Sequence, residues 1–275
     1  ETTSNGNVYT DITQSLSLGG LTYGVTNMEL TSAYASIANG GTYQKPVLYT
    51  KVVDHNGNIL LSNTQKGKRV MKESTAFLLT DAMKDVITKG TGKSAKLSSS
   101  MAVAGKSGTT SNSYDYWFSG YTPYHTASVW MGYDKNTNFA SDNTHKKIWA
   151  KVMNEIIKTK QEQTTDFKKP ADIVKAKVCK ESGKLAIKGV CDHDPRGSRV
   201  ITEYFEKGTV PTQTCDIHVA VEVCKTSDKL ATKNCPANKK QRKIYIVRKK
   251  GSHGKTADTP YLLPKKYQSV FCKKH

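Results

Sequence analysis

The chain has 275 residues and a mass of 30.3 kDa, room for one large domain or two ordinary ones, and its 36% hydrophobic content lets part of the chain build a core, so disorder is not the default. Lys and Arg number 42 against 23 Asp and Glu, so the formal net charge of +19 predicts an anionic partner: nucleic acid, an anionic membrane or an acidic wall polymer. No run of about 18 apolar residues occurs, which excludes a membrane-spanning helix within these residues.

The charge is uneven. Residues 1–167 hold 17 basic and 13 acidic residues, a net of +4, whereas residues 168–275 hold 25 and 10, a net of +15. All six cysteines (Cys179, Cys191, Cys215, Cys224, Cys235 and Cys272) fall in the basic part. An even number in a polar, loop-rich segment reads as a disulfide framework in an oxidising compartment. Zinc is the rival reading, but its usual Cys-x-x-Cys pairs are missing, so neither a metal site nor a cofactor is expected.

In chain order, Thr26 to Glu29 is a capping-box pattern opening a helix whose apolar face is Met28, Leu30, Ala33, Tyr34, Ile37 and Ala38, stopped by Asn39-Gly40-Gly41. A hairpin follows, with Val47 to Val53 and Ile59 to Leu61 flanking Asn56-Gly57. Residues 72–89 form a second amphipathic helix. Strands are expected at 101–104, 117–121 and 127–133, and a third helix at 146–158. This order predicts an α+β fold, an antiparallel sheet with packed helices. The boundaries are a first domain at 1–160, a linker at 161–170 and a small, basic, disulfide-rich β extension at 171–275.

The extension repeats itself. Residues 178–191 align with 223–235: Val178-Cys179-Lys180 matches Val223-Cys224-Lys225 45 residues later, and Cys191 and Cys235 agree within one residue. Two copies of strand, turn and strand, each closed by its own cystine, predict Cys179–Cys191 and Cys224–Cys235, with Cys215 left to Cys272. His193, within Cys191-Asp192-His193-Asp194, has some metal-ligand flavour, against which a solvated loop is the blander reading. Lys239 to Lys243 and Arg248 to Lys250 bracket an apolar strand and read either as solvated ends or as an anion-binding face.

The sharpest short motif is Lys106-Ser107-Gly108-Thr109-Thr110, at the end of an apolar strand with glycine on both sides. Glycine lets a ligand lie against the strand; the Lys supplies a cation, the hydroxyls hydrogen bonds for a carboxylate, and the backbone N–H groups donors for an oxyanion. A solvated strand end is the alternative. In context the motif gains force. Together with Gly24 to Leu30, Tyr34 to Tyr43, Thr80 to Met83, Gly90-Thr91-Gly92 and Trp117 to Pro123, it resembles the second half of the transpeptidase domain of class A penicillin-binding proteins, over residues 15–160. The tail is similar to the C-terminal extension of such proteins from Gram-positive, clostridia-like bacteria.

The resemblance implies the penicillin-binding/serine β-lactamase-like fold and peptidoglycan cross-linking. A serine in S-x-x-K is acylated by the D-Ala-D-Ala end of a stem peptide, and the amine of a second stem resolves the acyl-enzyme. By the family match, Lys106, Ser107 and Gly108 form the third catalytic motif. Ser107, Thr109 and Thr110 line the substrate carboxylate site, with the Thr109 N–H in the oxyanion hole. The implied partners are stem peptides, β-lactams and the upstream part of the same protein, with anionic wall polymer as a further candidate and no nucleic acid. The implied location is the extracellular face of the cytoplasmic membrane, anchored through a segment not present here.

Neither S-x-x-K nor S-x-N occurs before Lys106. Ser141-Asp142-Asn143 and Ser252-His253-Gly254-Lys255 match those patterns downstream, out of order, and read as decoys. The expectation is a C-terminal fragment that cannot acylate by itself. The rival class is a non-catalytic module binding wall polymer.

Overall fold

The computed structural model describes residues 2–4, 6–247 and 256–274 and divides into two compact units, 1–170 and 171–275. The first unit contains strands β1 (Thr2–Ser4) and β2 (Asn7–Tyr9), helix α1 (Asn27–Ala38), strands β3 (Thr42–Tyr43), β4 (Lys51–Val53), β5 (Ile59–Ser62) and β6 (Lys68–Arg69), and helix α2 (Glu73–Thr88). Strands β7 (Ala104–Thr109), β8 (Asp115–Tyr121) and β9 (Thr126–Gly132) and helix α3 (Thr144–Lys160) complete it. β7, β8 and β9 form an antiparallel sheet in that order, with Lys106 opposite Ser119 and Ser107 opposite Phe118. The helices pack on it as the α+β expectation requires: α1 and α3 on β8 and β9, and α2 on β7.

Phe118 and Tyr121 stand three residues apart on β8 and so point to opposite faces. On one face Phe118 meets Trp149 edge-on at 5.2 Å in a cluster with Ile87, Ala95, Leu97, Met101, Val103 and Met153. On the other, Tyr121 joins Ala104 and Met83 beneath Tyr34, Ile37 and Ala38 of α1. Burying each large apolar side chain contributes about 1.5–3 kcal/mol, so β8 and its two neighbours are anchored from both sides.

The capping box forms: Thr26 Oγ1 accepts from the Glu29 N–H, and Glu29 Oε2 accepts from the Thr26 N–H at 2.8 Å. The buried face of α1 differs from the expected apolar stripe. Met28 and Ala33 are exposed, and the buried positions are Ser32 and Ser36. Each serine hydroxyl donates to the carbonyl four residues back, at 2.6 and 3.0 Å, which satisfies it inside the helix and leaves a small residue for close packing. The stretch 161–170 packs on the first unit, through Glu162 to His125, Asp166 to Lys84 and Phe167 against Tyr121.

The second unit holds strands β10 (Ile173–Cys179), β11 (Val200–Glu206), β12 (His218–Cys224), β13 (Lys229–Leu230) and β14 (Lys240–Ile246) and the short helix α4 (Lys266–Ser269). β10 pairs with β11, and β12 lies between β13 and β14. The internal repeat is visible in the backbone. Cys179 and Cys224 end equivalent strands, and the turn residues Gly183 and Asp228 both take positive φ, 69° and 48°, each donating its N–H to the preceding Cys carbonyl at 2.8 Å. The Cys215 N–H donates to the Leu185 carbonyl and the Cys272 N–H to the Leu230 carbonyl, both at 2.8 Å, so Cys272 is the counterpart of Cys215.

That equivalence corrects the expected disulfides. All six cysteines are buried free thiols. They gather three and three: Cys179, Cys191 and Cys215 in one group, Cys224, Cys235 and Cys272 in the other. Cys215 and Cys272 are related by the repeat and belong to different groups, which is why they do not form the pair that elimination assigned.

Candidate functional site

Lys106 to Thr109 of the motif lie on β7 itself, not after it, and β7 is an edge strand of its sheet among the described residues. Its setting depends on Gly105. A Cβ there would stand 2.8 Å from both Phe118 Cζ and the Ser119 carbonyl oxygen, so only glycine lets β7 lie this close to β8. At Gly108 a Cβ would meet nothing nearer than Trp117 Cβ at 3.4 Å, and that part of the strand is open.

Lys106 is exposed, and its Nζ donates to the Ser107 carbonyl at 2.8 Å. Ser107 Oγ lies 3.0 Å from Thr91 Oγ1, each hydroxyl able to donate. Thr109 is exposed at the end of the strand. Thr110 shapes the β7–β8 turn: its Oγ1 accepts the N–H groups of Tyr114 and Asp115 at 3.1 and 3.0 Å, which leaves its own O–H to donate elsewhere.

Thr91 and Lys146 join the site and were missed in the sequence. The loop carrying Thr91 is pinned by Ala95 and Leu97 in the core. Lys146 Nζ, buried on α3, donates to the Thr91 carbonyl at 2.9 Å and to Asn143 Oδ1 at 2.8 Å. Burial, with the Lys106 charge adding to it, holds the Lys146 ammonium below its usual range. Asn143 is therefore part of the site's support. The Ser141-Asp142-Asn143 match is the turn that starts α3: Asn143 sits at φ 71° as its N-cap, and Ser141 Oγ contacts His145 Nδ1 at 3.2 Å. The Ser252 to Lys255 match and the basic run Arg248 to Lys250 lie outside the described residues.

Two open grooves border α1. One of about 880 Å³ runs from Asn27, Thr31 and Ala35 to Pro123 and His125; the other, of about 590 Å³, is lined by Glu29, Ser36 and Met71. Lys106 lines neither.

In the second unit His193 points outward against Asp192, its side chain 68% exposed. The histidine among the cysteines is His218, whose Nδ1 faces Cys179 and Cys215. The sequence signal for it is the spacing Cys215-x-x-His218, which recurs as Cys272-x-x-His275.

The penicillin binding protein transpeptidase domain family model matches residues 1–158, and that of the penicillin-binding protein 1A C-terminal domain matches residues 169–220. Penicillin-binding protein 1A of Clostridium botulinum (strain Hall) is 37% identical over 256 residues, 91% of this chain and 30% of the relative. The Clostridium novyi protein of that name is 33% identical over 91% of this chain and 29% of its own length. Penicillin-binding protein 2D of Bacillus subtilis is 34% identical over 82% of this chain and 32% of its own. The chain thus spans about a third of the length of these relatives. Among solved structures, penicillin-binding protein 1A from Haemophilus influenzae shares the fold with a TM-score of 0.59 at 23% identity, over 75% of this chain and 35% of that one.

Proposed function

The chain belongs to the penicillin-binding protein transpeptidase family, and from that premise we propose that it supplies the Lys106-Ser107-Gly108 wall of a serine D,D-transpeptidase site that cross-links peptidoglycan. The observation that carries this reading is an edge strand holding an exposed Lys106, with Ser107 braced by Thr91 and open space at Gly108. The nucleophilic serine and the S-x-N motif come from a segment outside these 275 residues, because neither pattern precedes Lys106.

In the proposed reaction the serine oxygen bonds to the penultimate D-Ala carbonyl carbon, the C–N bond to the terminal D-Ala breaks, and that amine leaves with a proton. The amine of a second stem then displaces the serine. The Lys106 ammonium supplies positive potential to the site, the hydroxyls of Ser107, Thr109 and Thr110 receive the terminal carboxylate, and the Thr109 N–H donates to the oxyanion. A β-lactam acylates the same serine. The protein works on the extracellular face of the cytoplasmic membrane, anchored through a segment outside these residues; among the described residues no helix is long and apolar enough to cross a membrane.

Fluorescent penicillin tests the reading. The longer parent protein labels, the isolated 275 residues do not, and Lys106→Ala in the parent lowers the acylation rate about 10²-fold, as loss of an electrostatic contact in an acyl-transfer site does. Labelling of the isolated chain, or an unaffected Lys106→Ala parent, refutes it. A second reading rests on the +15 net charge of residues 168–275: this basic part docks on anionic wall polymer. Binding to purified wall that weakens with salt supports this, and salt-independent binding opposes it.

A further inference from the structure

Three sulfurs and one imidazole nitrogen converge in the first repeat of the second unit. Cys179 ends β10, Cys191 opens the tight turn at 191–193, Cys215 precedes β12 and His218 begins it. All four residues are buried, and their ligand atoms lie within 4.8 Å of one another. His218 Nδ1 is 3.4 Å from Cys179 Sγ and 3.3 Å from Cys215 Sγ. With Zn–S near 2.3 Å and Zn–N near 2.0–2.1 Å, adjacent sulfur and nitrogen ligands of a tetrahedral zinc ion stand about 3.6 Å apart. The cluster is within a few tenths of an ångström of that spacing before any ion is added.

The far side of the imidazole is just as specific. His218 Nε2 is 2.6 Å from Asp194 Oδ2, and both side chains are fully buried. Asp194 in turn accepts from Arg196, Nε to Oδ1 at 2.9 Å and NH2 to Oδ2 at 2.7 Å, and Arg196 reaches Asp258 at 2.7 Å. A carboxylate held by a guanidinium is an acceptor, so Nε2 carries a proton, and in the neutral imidazole that ligates a metal the Nδ1 lone pair faces the sulfurs. A carboxylate–imidazole pair of this kind orients histidines that ligate metals. The Ile187 N–H also points at Cys191 Sγ, at 3.3 Å.

Disulfide chemistry fits these groups poorly. Three is an odd number, so a cystine between any two sulfurs strands the third thiol in a buried site, whereas a metal ion uses all three. The second repeat gathers three sulfurs in the same way. Cys224, Cys235 and Cys272 converge, the Thr232 N–H points at Cys235 Sγ at 3.3 Å as Ile187 does at Cys191, and Cys272-x-x-His275 repeats the spacing of Cys215-x-x-His218. His275 lies outside the described residues.

We propose that Cys179, Cys191, Cys215 and His218 form a zinc site. Four protein ligands close a tetrahedral shell and leave no position for water or substrate, so the ion is structural, tying the end of β10 and the turn after it to the start of β12. On loading, the three thiols release three protons to solvent, and the three thiolates with Zn²⁺ leave a net charge of −1.

The test is metal analysis of the 275-residue chain purified without chelators or a nickel column. Zinc survives gel filtration, and Cys215→Ser and His218→Ala each lose about one equivalent relative to the parent sequence. Asp194→Asn keeps every ligand but weakens zinc about 10–100-fold in chelator competition, the usual consequence of removing such a partner. Co²⁺ titrated into the metal-free, unmutated chain gives a thiolate-to-cobalt charge-transfer band and the visible bands of a tetrahedral ion, a readout that does not depend on any variant folding. A mapped cystine among Cys179, Cys191 and Cys215, reduced chain that takes up no Co²⁺, or zinc content unchanged in His218→Ala overturns the proposal.

Discussion

Gly105→Ala tests whether the candidate site is positioned by close approach of β7 to β8. A Cβ at this position would lie 2.8 Å from Phe118 Cζ and from the Ser119 carbonyl oxygen, and 3.0 Å from Gly120 Cα. Carbon contacts are comfortable at about 3.5–4.0 Å, so something must give by about 0.7–1 Å. None of the three obstacles is a flexible tip. Phe118 is fully buried edge-on against Trp149, and the other two atoms are backbone of the central strand. Overpacking of this kind costs about 1–3 kcal/mol. The reduced freedom of the unfolded chain returns about 0.4–1 kcal/mol. The net expectation is about 1–2 kcal/mol of destabilisation. Gly108→Ala, three residues along the same strand with one contact at 3.4 Å, is the control and stays within about 0.5 kcal/mol. The three tryptophans, Trp117, Trp130 and Trp149, all lie in the first unit, so fluorescence-detected urea unfolding reports that unit alone. At 2–4 °C per kcal/mol the thermal midpoint falls by about 2–8 °C. Equal stability of Gly105→Ala and Gly108→Ala refutes the close-approach account, and with it the reason for a glycine before Lys106.

Thr80 Oγ1 and Tyr121 OH are 2.8 Å apart and buried, while Thr80 also donates to the Ala76 carbonyl. Tyr121→Phe therefore costs about 1 kcal/mol, but Thr80→Val strands a buried phenol and costs about 1–3 kcal/mol; additive effects in the double mutant refute the bond. Lys146→Met removes the donor to the Thr91 carbonyl, so amide exchange across residues 90–92 and at Ser107 accelerates while α3 stays protected; unchanged exchange refutes the bracing role. In the second unit the Asp228 carboxyl is lowered to about 2 by hydrogen bonds from Lys266 and Tyr267. Its folded value lies below the ordinary 3.8, so its contribution to stability is present above that value and is lost as pH falls through about 2. Carboxyl NMR titration places the midpoint there, and Lys266→Met moves it upward; an ordinary midpoint in the unmutated chain refutes the bridge.

What the sequence revealed, and what it hid, follows from the distance over which each signal acts. The Thr26 capping box, the Asn56-Gly57 turn and the alternation of β8 and β9 are local, and each element forms close to where its residues place it. The Lys106 motif is local in the same sense: its candidate groups sit on consecutive residues. Thr91 was not readable, because nothing in its neighbours announces that Ser107, sixteen residues away, will bond to it. The buried serines of α1 escaped because periodicity weighs side chains by polarity, while a serine bonded to its own helix carbonyl packs like alanine.

The cysteines show how a correct local observation can mislead. The repeat at 178–191 and 223–235 is real, and it brings Cys191 to Cys179 and Cys235 to Cys224 as the sequence reading supposed. The error lay in counting to two. Cys215 and Cys272 are not the remainder of two finished pairs: their own hydrogen bonds to Leu185 and Leu230 make each the third member of its copy. Extending the comparison from 45-residue to 57-residue offsets would have aligned Cys215-x-x-His218 with Cys272-x-x-His275 and shown four potential ligands per copy in place of one cystine each. The change in offset marks the longer connection from Cys235 to Cys272 in the second copy, which carries β14 and α4, and it hid the histidines from a search at a fixed period. Six cysteines gathered three and three cannot all pair within their own groups, so an even total does not by itself predict a disulfide framework.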